Sequence, residues 1–265
     1  MMRAVLSGLA LLVAGVLVGL AGLLVARGAG GLTGEFLLSM PARAGREGGI
    51  LPVIVATLWL TGGALAAALP LGIGTAAYLQ EYAAPGKLVG ILRTLTEALA
   101  GVPSILFGLF GFSLFVIRLE WGWSLAAGSA TLALMVLPTI IRTAEEAIAA
   151  VPRELREAAA ALGATRWEVT RRVVLRHALP GLLTGAILAL GRAAGETAAV
   201  LLTAGSHLGL PTSPTDPGRS MAVHLYILAT EGLSESRTYA TALVLLLAVL
   251  GVNLLANLIL ARWRR

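Results

Sequence analysis

Residues 182–204 read LLTGAILALGRAAGETAAVLLTA, an apolar run that carries two charges, Arg192 and Glu196. Taken as one helix, it is long enough to cross a hydrocarbon layer of ~30 Å at ~1.5 Å per residue. Arg192 then lies ~15 Å from the helix start, near mid-membrane. An ionised side chain there is costly, and marks a transport path or a polar partner. The i,i+4 spacing of Arg192 and Glu196 puts both on one helix face, within reach of each other. Two readings fit at this point: a structural ion pair buried in a bundle, or a gate or binding point for an anion.

The rest of the chain supplies the solvent. Of 265 residues, 57% are hydrophobic and 13% charged, with a mean hydropathy of +0.87, the composition of a polytopic membrane protein. Apolar runs predict further spans at 4–26, 52–78, 98–117, 124–141 and 238–261. Pro70 falls inside the second, Pro103 near the start of the third and Pro138 near the end of the fourth. With 182–204 this makes six transmembrane helices in one domain over 1–265, an all-α polytopic fold. The run 4–26 exceeds the ~7–15 apolar residues of a signal-peptide core, so a retained first span is expected. Residues 27–50, 79–97 and 205–237 read as connecting loops.

Residues 142–181 differ. They hold seven arginines and five glutamates, too polar to cross lipid, and PRELREAAAALGATRWEVTRRVVL reads as two short helices broken at Gly163, with Thr165 capping the second. With the N-terminus inside, 13 Lys and Arg fall on the inner side and 6 on the outer, with Arg192 in the membrane. The excess of inner charge predicts both termini and this loop in the cytoplasm. The net charge of +6 therefore reflects orientation in a membrane, and no nucleic-acid partner is expected.

Recognisable catalytic chemistry is missing. There is no GxxxxGK[ST] phosphate loop, so the chain is not its own P-loop ATPase. GxSxG is absent, there is no Cys, and His177, His207 and His224 match no zinc spacing. No cofactor and no metal are expected.

Glu157-Ala158-Ala159 followed by Gly163, in a loop before the penultimate span, resembles the EAA loop of ABC importer permeases. The Leu-Pro pair that usually ends that loop is not matched: Arg176 follows Leu175, and a proline comes only at Pro180. GRAAGET (191–197), GREGGILP (45–52), YLQEYA (78–83), AGVPSILFGLFG (100–111) and MAVHLYILA (221–229) are similar to segments of phosphate-importer permeases of the PstA family, and the likeness runs over about residues 33–260.

The resemblance implies a type I ABC importer permease fold with 142–181 as the cytoplasmic coupling segment. Glu157, Ala158, Ala159 and Gly163 would meet the ATPase, and Arg192, Glu196, Arg142 and Thr197 would line the substrate path. Implied partners are a PstC-like permease, a dimer of ATP-binding subunits and a periplasmic phosphate-binding protein, in the lipid of the cell inner membrane. A guanidinium can hold phosphate oxygens in a fork, and a carboxylate can accept the proton that phosphate retains and sulfate lacks. Alternatives are a permease for sulfate, molybdate or tungstate, an ATPase-independent channel, or a membrane enzyme.

Overall fold

A computed structural model describes residues 2–84 and 86–263. Pro85, a turn signal in the 79–97 connection, and Arg264 and Arg265, two of the 13 inner basic residues, lie outside the described residues. In chain order, α1 (Met2–Gly28) leads through a 3₁₀ turn to the short α2 (Gly34–Leu38) and a two-residue antiparallel hairpin, β1 (Pro41–Ala42) with β2 (Glu47–Gly48). Next comes α3 (Leu51–Ala77), which runs on as a π-helical turn, Tyr78–Tyr82. Then α4 (Lys87–Ala100) meets α5 (Ser104–Gly111), extended by a π stretch to Arg118, at 100°. After α6 (Leu125–Ala149) and α7 (Arg153–Ala161), α8 (Arg166–Glu168) continues through a π stretch into α9 (Leu175–Ala194) as one rod. The chain closes with α10 (Ala198–Thr203), α11 (Met221–Thr230) and α12 (Glu235–Trp263).

Five helices are long and apolar enough to cross a membrane among the described residues, and the bent α4–α5 pair makes a sixth when counted as one span. The all-α, six-span expectation holds in outline, with four corrections. The third span is not one helix over 98–117: Pro103 and Gly101 break it, and residues 87–97, read as connection, join 98–100 in the amphipathic α4. The fourth span does not end at 141 but continues two turns, through Arg142, Glu145 and Glu146, to Ala149. The fifth rod starts at Arg166 and stops at Ala194 rather than running from 182 to 204. Residues 205–237 are not all loop, since α11 folds back and buries Val223 in the central core.

Small residues set the packing. Within lipid there is little hydrophobic drive between helices, so association relies on close van der Waals fit. Along α3, Ala56, Leu60, Ala64, Ala68, Gly72 and Ala76 recur every fourth residue and are all buried. This stripe meets α6 in parallel. A Cβ on Gly72 would stand 2.6 Å from Ile140, and one on Gly128 would stand 2.6 Å from Leu60. On another face of α6 the rod α9 runs antiparallel, with Gly185 against Thr143 and Gly181 against Ala147. At the N-terminus of α6, where backbone amides lack helical partners, Leu125 donates to Asp216 O and Ala126 to Pro214 O. The turn cluster at 211–218 thereby seals that end of the bundle. The apolar faces of α1, α4 and α12 stay exposed.

One substitution pair tests the packing account. A Cβ at Gly111 would sit 2.1 Å from Thr131 Oγ1, whereas Gly62 has nothing within 4 Å. Gly111→Ala is expected to destabilise the detergent-solubilised protein by about 1–3 kcal/mol, read as a lower melting temperature. Gly62→Ala should leave it unchanged or raise it, since alanine is the better helix former.

Candidate functional site

The fifth span breaks where its charges lie. The rod ends at Ala194, Gly195 donates back to Gly191 O at 3.3 Å, and α10 starts afresh at Ala198. The i,i+4 geometry expected for Arg192 and Glu196 needs unbroken helix between them, and that helix is absent. The pair is accordingly not formed. Glu196 instead turns back on the new helix start, where its Oε1 accepts from the amides of Thr197 (3.2 Å) and Ala199 (3.3 Å). These are amides that a helix start leaves without partners, and a negative charge there is favourable.

Arg192 is exposed in the last turn of α9 and makes no ion pair or side-chain hydrogen bond among the described residues. Non-helical backbone at membrane depth is tolerated where it is buried in protein or lines a water-filled cavity. Here Ala193, Ala194 and Ala199, on either side of the break, are buried, so the interruption is housed in protein. Thr197 is half-buried at the break, while Thr203 bonds its own helix at Ala199 O and is structural.

Arg142 stands elsewhere. It lies within α6 and pairs with Glu146, Nε to Oε1 at 3.3 Å, with both side chains about two-thirds exposed at 65% and 69%. Its neighbour Glu145 does not share this pair but turns to Arg93 and Gln80. Arg142 lines a cavity of about 250 Å³ between α4 and α6, with Arg93, Thr96, Thr139 and Thr143. The antiparallel contacts of α6 with α9, Thr143 to Gly185 and Ala147 to Gly181, put Arg192 level with about residue 136. The two arginines are therefore offset by ~9 Å along the bundle and do not share one site.

The candidate coupling segment is built from α7 and its exit. Pro152 sets the helix start, Leu155 and Ala159 pack inward against a cluster that includes Val151, Val169 and Val174, and Glu157 and Ala158 face solvent. Gly163 ends the turn at φ +86°, a conformation that favours glycine. Thr165 then opens the next helix as expected, and Glu168 completes a reciprocal cap by accepting from the Thr165 amide. A continuous rod follows, so movement of this corner bears directly on α9.

Another buried charge cluster lies outside the long spans. Arg219 donates to Ser206 O at 2.9 Å and approaches His224 Nδ1 at 3.4 Å, and the ring of His224 packs on Gly45. A Cβ at Gly45 would meet His224 Cε1 at 2.6 Å. This explains part of the GREGG sequence: its glycines serve close packing of the hairpin against α11 and the end of α2. Burial, and then the Arg219 charge, push the His224 imidazole down from 6.5 to about 4. Among the described residues no group of three or more His, Cys, Asp or Glu is placed to hold a metal ion.

A model of the family of binding-protein-dependent transport system inner membrane components matches residues 68–265. The chain belongs to that family. It is a multi-pass inner-membrane component of the permease type. It is 34% identical to the probable ABC transporter permease protein YqgI of Bacillus subtilis, over 94% of this chain and 90% of that protein. It is 35% identical to the phosphate transport system permease protein PstA of Haemophilus influenzae, over 84% and 79%, and 39% identical to PstA of Yersinia pestis, over 73% and 66%. Among solved structures, the inward-facing MetNI methionine ABC transporter aligns with a TM-score of 0.67 at 21% identity, covering 82% of this chain and 96% of that one. A bacterial alginate ABC transporter aligns with a TM-score of 0.61 at 16% identity, covering 83% and 80%. These two likenesses establish the type I importer fold.

Some features of the family member escape sequence reasoning. Leu162 and Trp167, 90% and 60% exposed, flank Gly163 as apolar side chains on a polar loop. The alternation of inward Leu155 and Ala159 with outward Glu154, Glu157 and Ala158 contains the signal for this face. No local pattern announces that Arg156 reaches Glu81, 75 positions away.

The His224 cluster predicts a pH dependence. The folded form holds a neutral imidazole, whereas the opened form binds a proton at the ordinary value. Stability is thus complete above pH 6.5, is lost progressively as pH falls toward about 4, and levels off below that. The loss should reach about 3 kcal/mol. Melting curves from pH 7 to 4 should fall more steeply for wild type than for His224→Gln; parallel curves would show that the histidine does not titrate on opening.

Proposed function

We propose that this chain is the permease subunit of an ATP-driven importer of inorganic phosphate. The observation that carries the reading is Arg192, unpaired among the described residues at the break in the fifth span, on a chain 35% identical over most of its length to a phosphate transport system permease. Phosphate near neutral pH offers oxygens to a guanidinium in a bidentate fork. Glu196 spends one carboxylate oxygen on the α10 amides and keeps the other for the P–OH proton. The chain is a transport subunit, and ATP hydrolysis belongs to a separate protein.

Partners follow from the same reading. A binding protein delivers phosphate to the outer mouth, and a PstC-like permease completes the path. Of the two ATP-binding subunits, one docks on α7, where Glu157, Ala158 and the exit at Gly163 form the contact with exposed Leu162 and Trp167, while Ala159, expected at this contact, packs inward and holds the helix to its base. Both termini and the 142–181 segment lie in the cytoplasm, in line with the 13 to 6 division of basic residues. Arg192 is a first contact for the anion, and Arg142, shared with Glu146, is a later one near the inner exit.

Uptake in vesicles tests this. With binding protein, partner permease and ATPase reconstituted, Arg192→Gln should lower ATP-driven phosphate uptake about 10–100-fold, the value of a lost charged hydrogen-bond pair, with assembly intact. Arg192→Lys should fall between. Glu196→Gln should reduce preference for phosphate over sulfate. Normal uptake by Arg192→Gln would remove the site from the path.

A further inference from the structure

The sequence YLQEY (78–82) forms the π-helical turn at the end of α3, and two adjacent side chains on it reach different elements. Glu81 takes the guanidinium of Arg156 on α7, Nε at 3.2 Å and Nη2 at 3.0 Å, with the side chains only 12% and 21% exposed. The same guanidinium donates to Ile148 O at 2.8 Å and to Val151 O, so α7 is fastened to the end of α6 as well. Gln80 donates to Glu145 on α6 at 3.3 Å, and that same carboxylate oxygen takes Arg93 of α4, Nε at 3.1 Å and Nη2 at 3.0 Å.

We propose that the π turn Tyr78–Tyr82 is a relay. Through Glu81 and Arg156 it grips the coupling helix, and through Gln80, Glu145 and Arg93 it grips α4, so movement of α7 is delivered to the α4–α5 elbow. The proposal rests on the reading of α7 as the ATPase docking helix. Gln80, Glu81, Glu145, Arg93 and Arg156 are positioning residues within it.

Three observations favour a relay over a static staple. First, α4 has no buried residue and carries a row of exposed apolar side chains; an element so sparsely packed is one that can move. It turns at Gly101–Pro103 through 100° onto α5, a defined hinge. Second, α4 forms one wall of the cavity that holds Arg142, so swinging it opens or shuts that station. Third, a π turn adds a residue to the helical circuit and is frequent at functional positions. Here it sends Gln80 and Glu81 to different partners, which gives one rigid end of α3 a hold on both.

The experiment compares wild type with Glu81→Gln and Gln80→Leu in the reconstituted complex, measuring phosphate uptake and ATP hydrolysis in the same vesicles. Glu81→Gln leaves the carbonyl bonds of Arg156 in place and so spares the seat of α7. Each variant should lose about tenfold in uptake per ATP hydrolysed, a common size for coupling between sites, with hydrolysis within about twofold of wild type. Proportional loss of uptake and hydrolysis, or no loss, would overturn the relay.

A second arm needs no transported anion. The chain has no cysteine, so Leu95→Cys on α4 and Leu119→Cys beyond α5 can be spin-labelled alone. ATP should shift the distance between them in the otherwise wild-type complex. The shift should vanish with Glu81→Gln while hydrolysis persists; a retained shift refutes the relay. A labelled complex that moves with ATP but takes up no phosphate would overturn the substrate reading alone.

Discussion

The approach of α3 to α6 is the constraint on which the other elements depend. Two long helices in lipid gain little from hiding apolar surface, because their surroundings are equally apolar. They hold together where side chains are small enough for many dispersion contacts at once. The four-residue stripe from Ala56 to Ala76 provides that on α3, and Gly128 answers it on α6. Once α6 is fixed, its other faces receive α9 at Gly181 and Gly185 and α5 at Gly111. The relative depths of Arg142 and Arg192 are consequences of this register, because Arg142 lies on α6 itself and α9, which carries Arg192, is set against it.

The same environment explains the break in the fifth span. A helix interrupted within hydrocarbon frees amides that no lipid can satisfy. Glu196 meets two of them within its own segment. A carboxylate committed in this way no longer neutralises Arg192, four positions earlier. The break is stabilised and the guanidinium is left available by one side chain, so neither feature can be altered without the other. A continuous helix would have produced the opposite result, with an ion pair satisfied internally and nothing left for a ligand.

Much of this fold was legible from the chain because membrane helices announce themselves by length and apolarity. Four runs, 4–26, 52–78, 124–141 and 238–261, fell where single helices formed, and Thr165 and Gly163 marked the corner after α7 by cap chemistry that acts over three or four residues. The departures share a physical reason. Gly195–Thr197 breaks a run that reads as one apolar span with two charges, and Pro103 bends the third span by 100°. Whether a glycine or proline interrupts a helix depends on what packs beside it, as Pro70, Pro138 and Pro180 show by lying inside helices. The candidate site was legible in its residues but not in its pairing: Arg192 and Glu196 were visible at i,i+4, and only the backbone showed that they part. Contacts such as Arg156 with Glu81 arise from tertiary placement and leave no local trace.

Read as a transport path, the two arginines form an ordered sequence. Arg192 is unpaired among the described residues and meets an anion without first breaking a contact. Arg142 is already shared with Glu146, so an anion arriving there competes with a carboxylate. An exposed i,i+4 pair is worth only a few tenths of a kcal/mol, enough to bias binding without blocking it. The anion is therefore held more firmly at the first station than at the second. On the proposed path, weakening toward the exit favours release; in the proposed relay α4 decides when the second contact is open, while ATP hydrolysis supplies the direction.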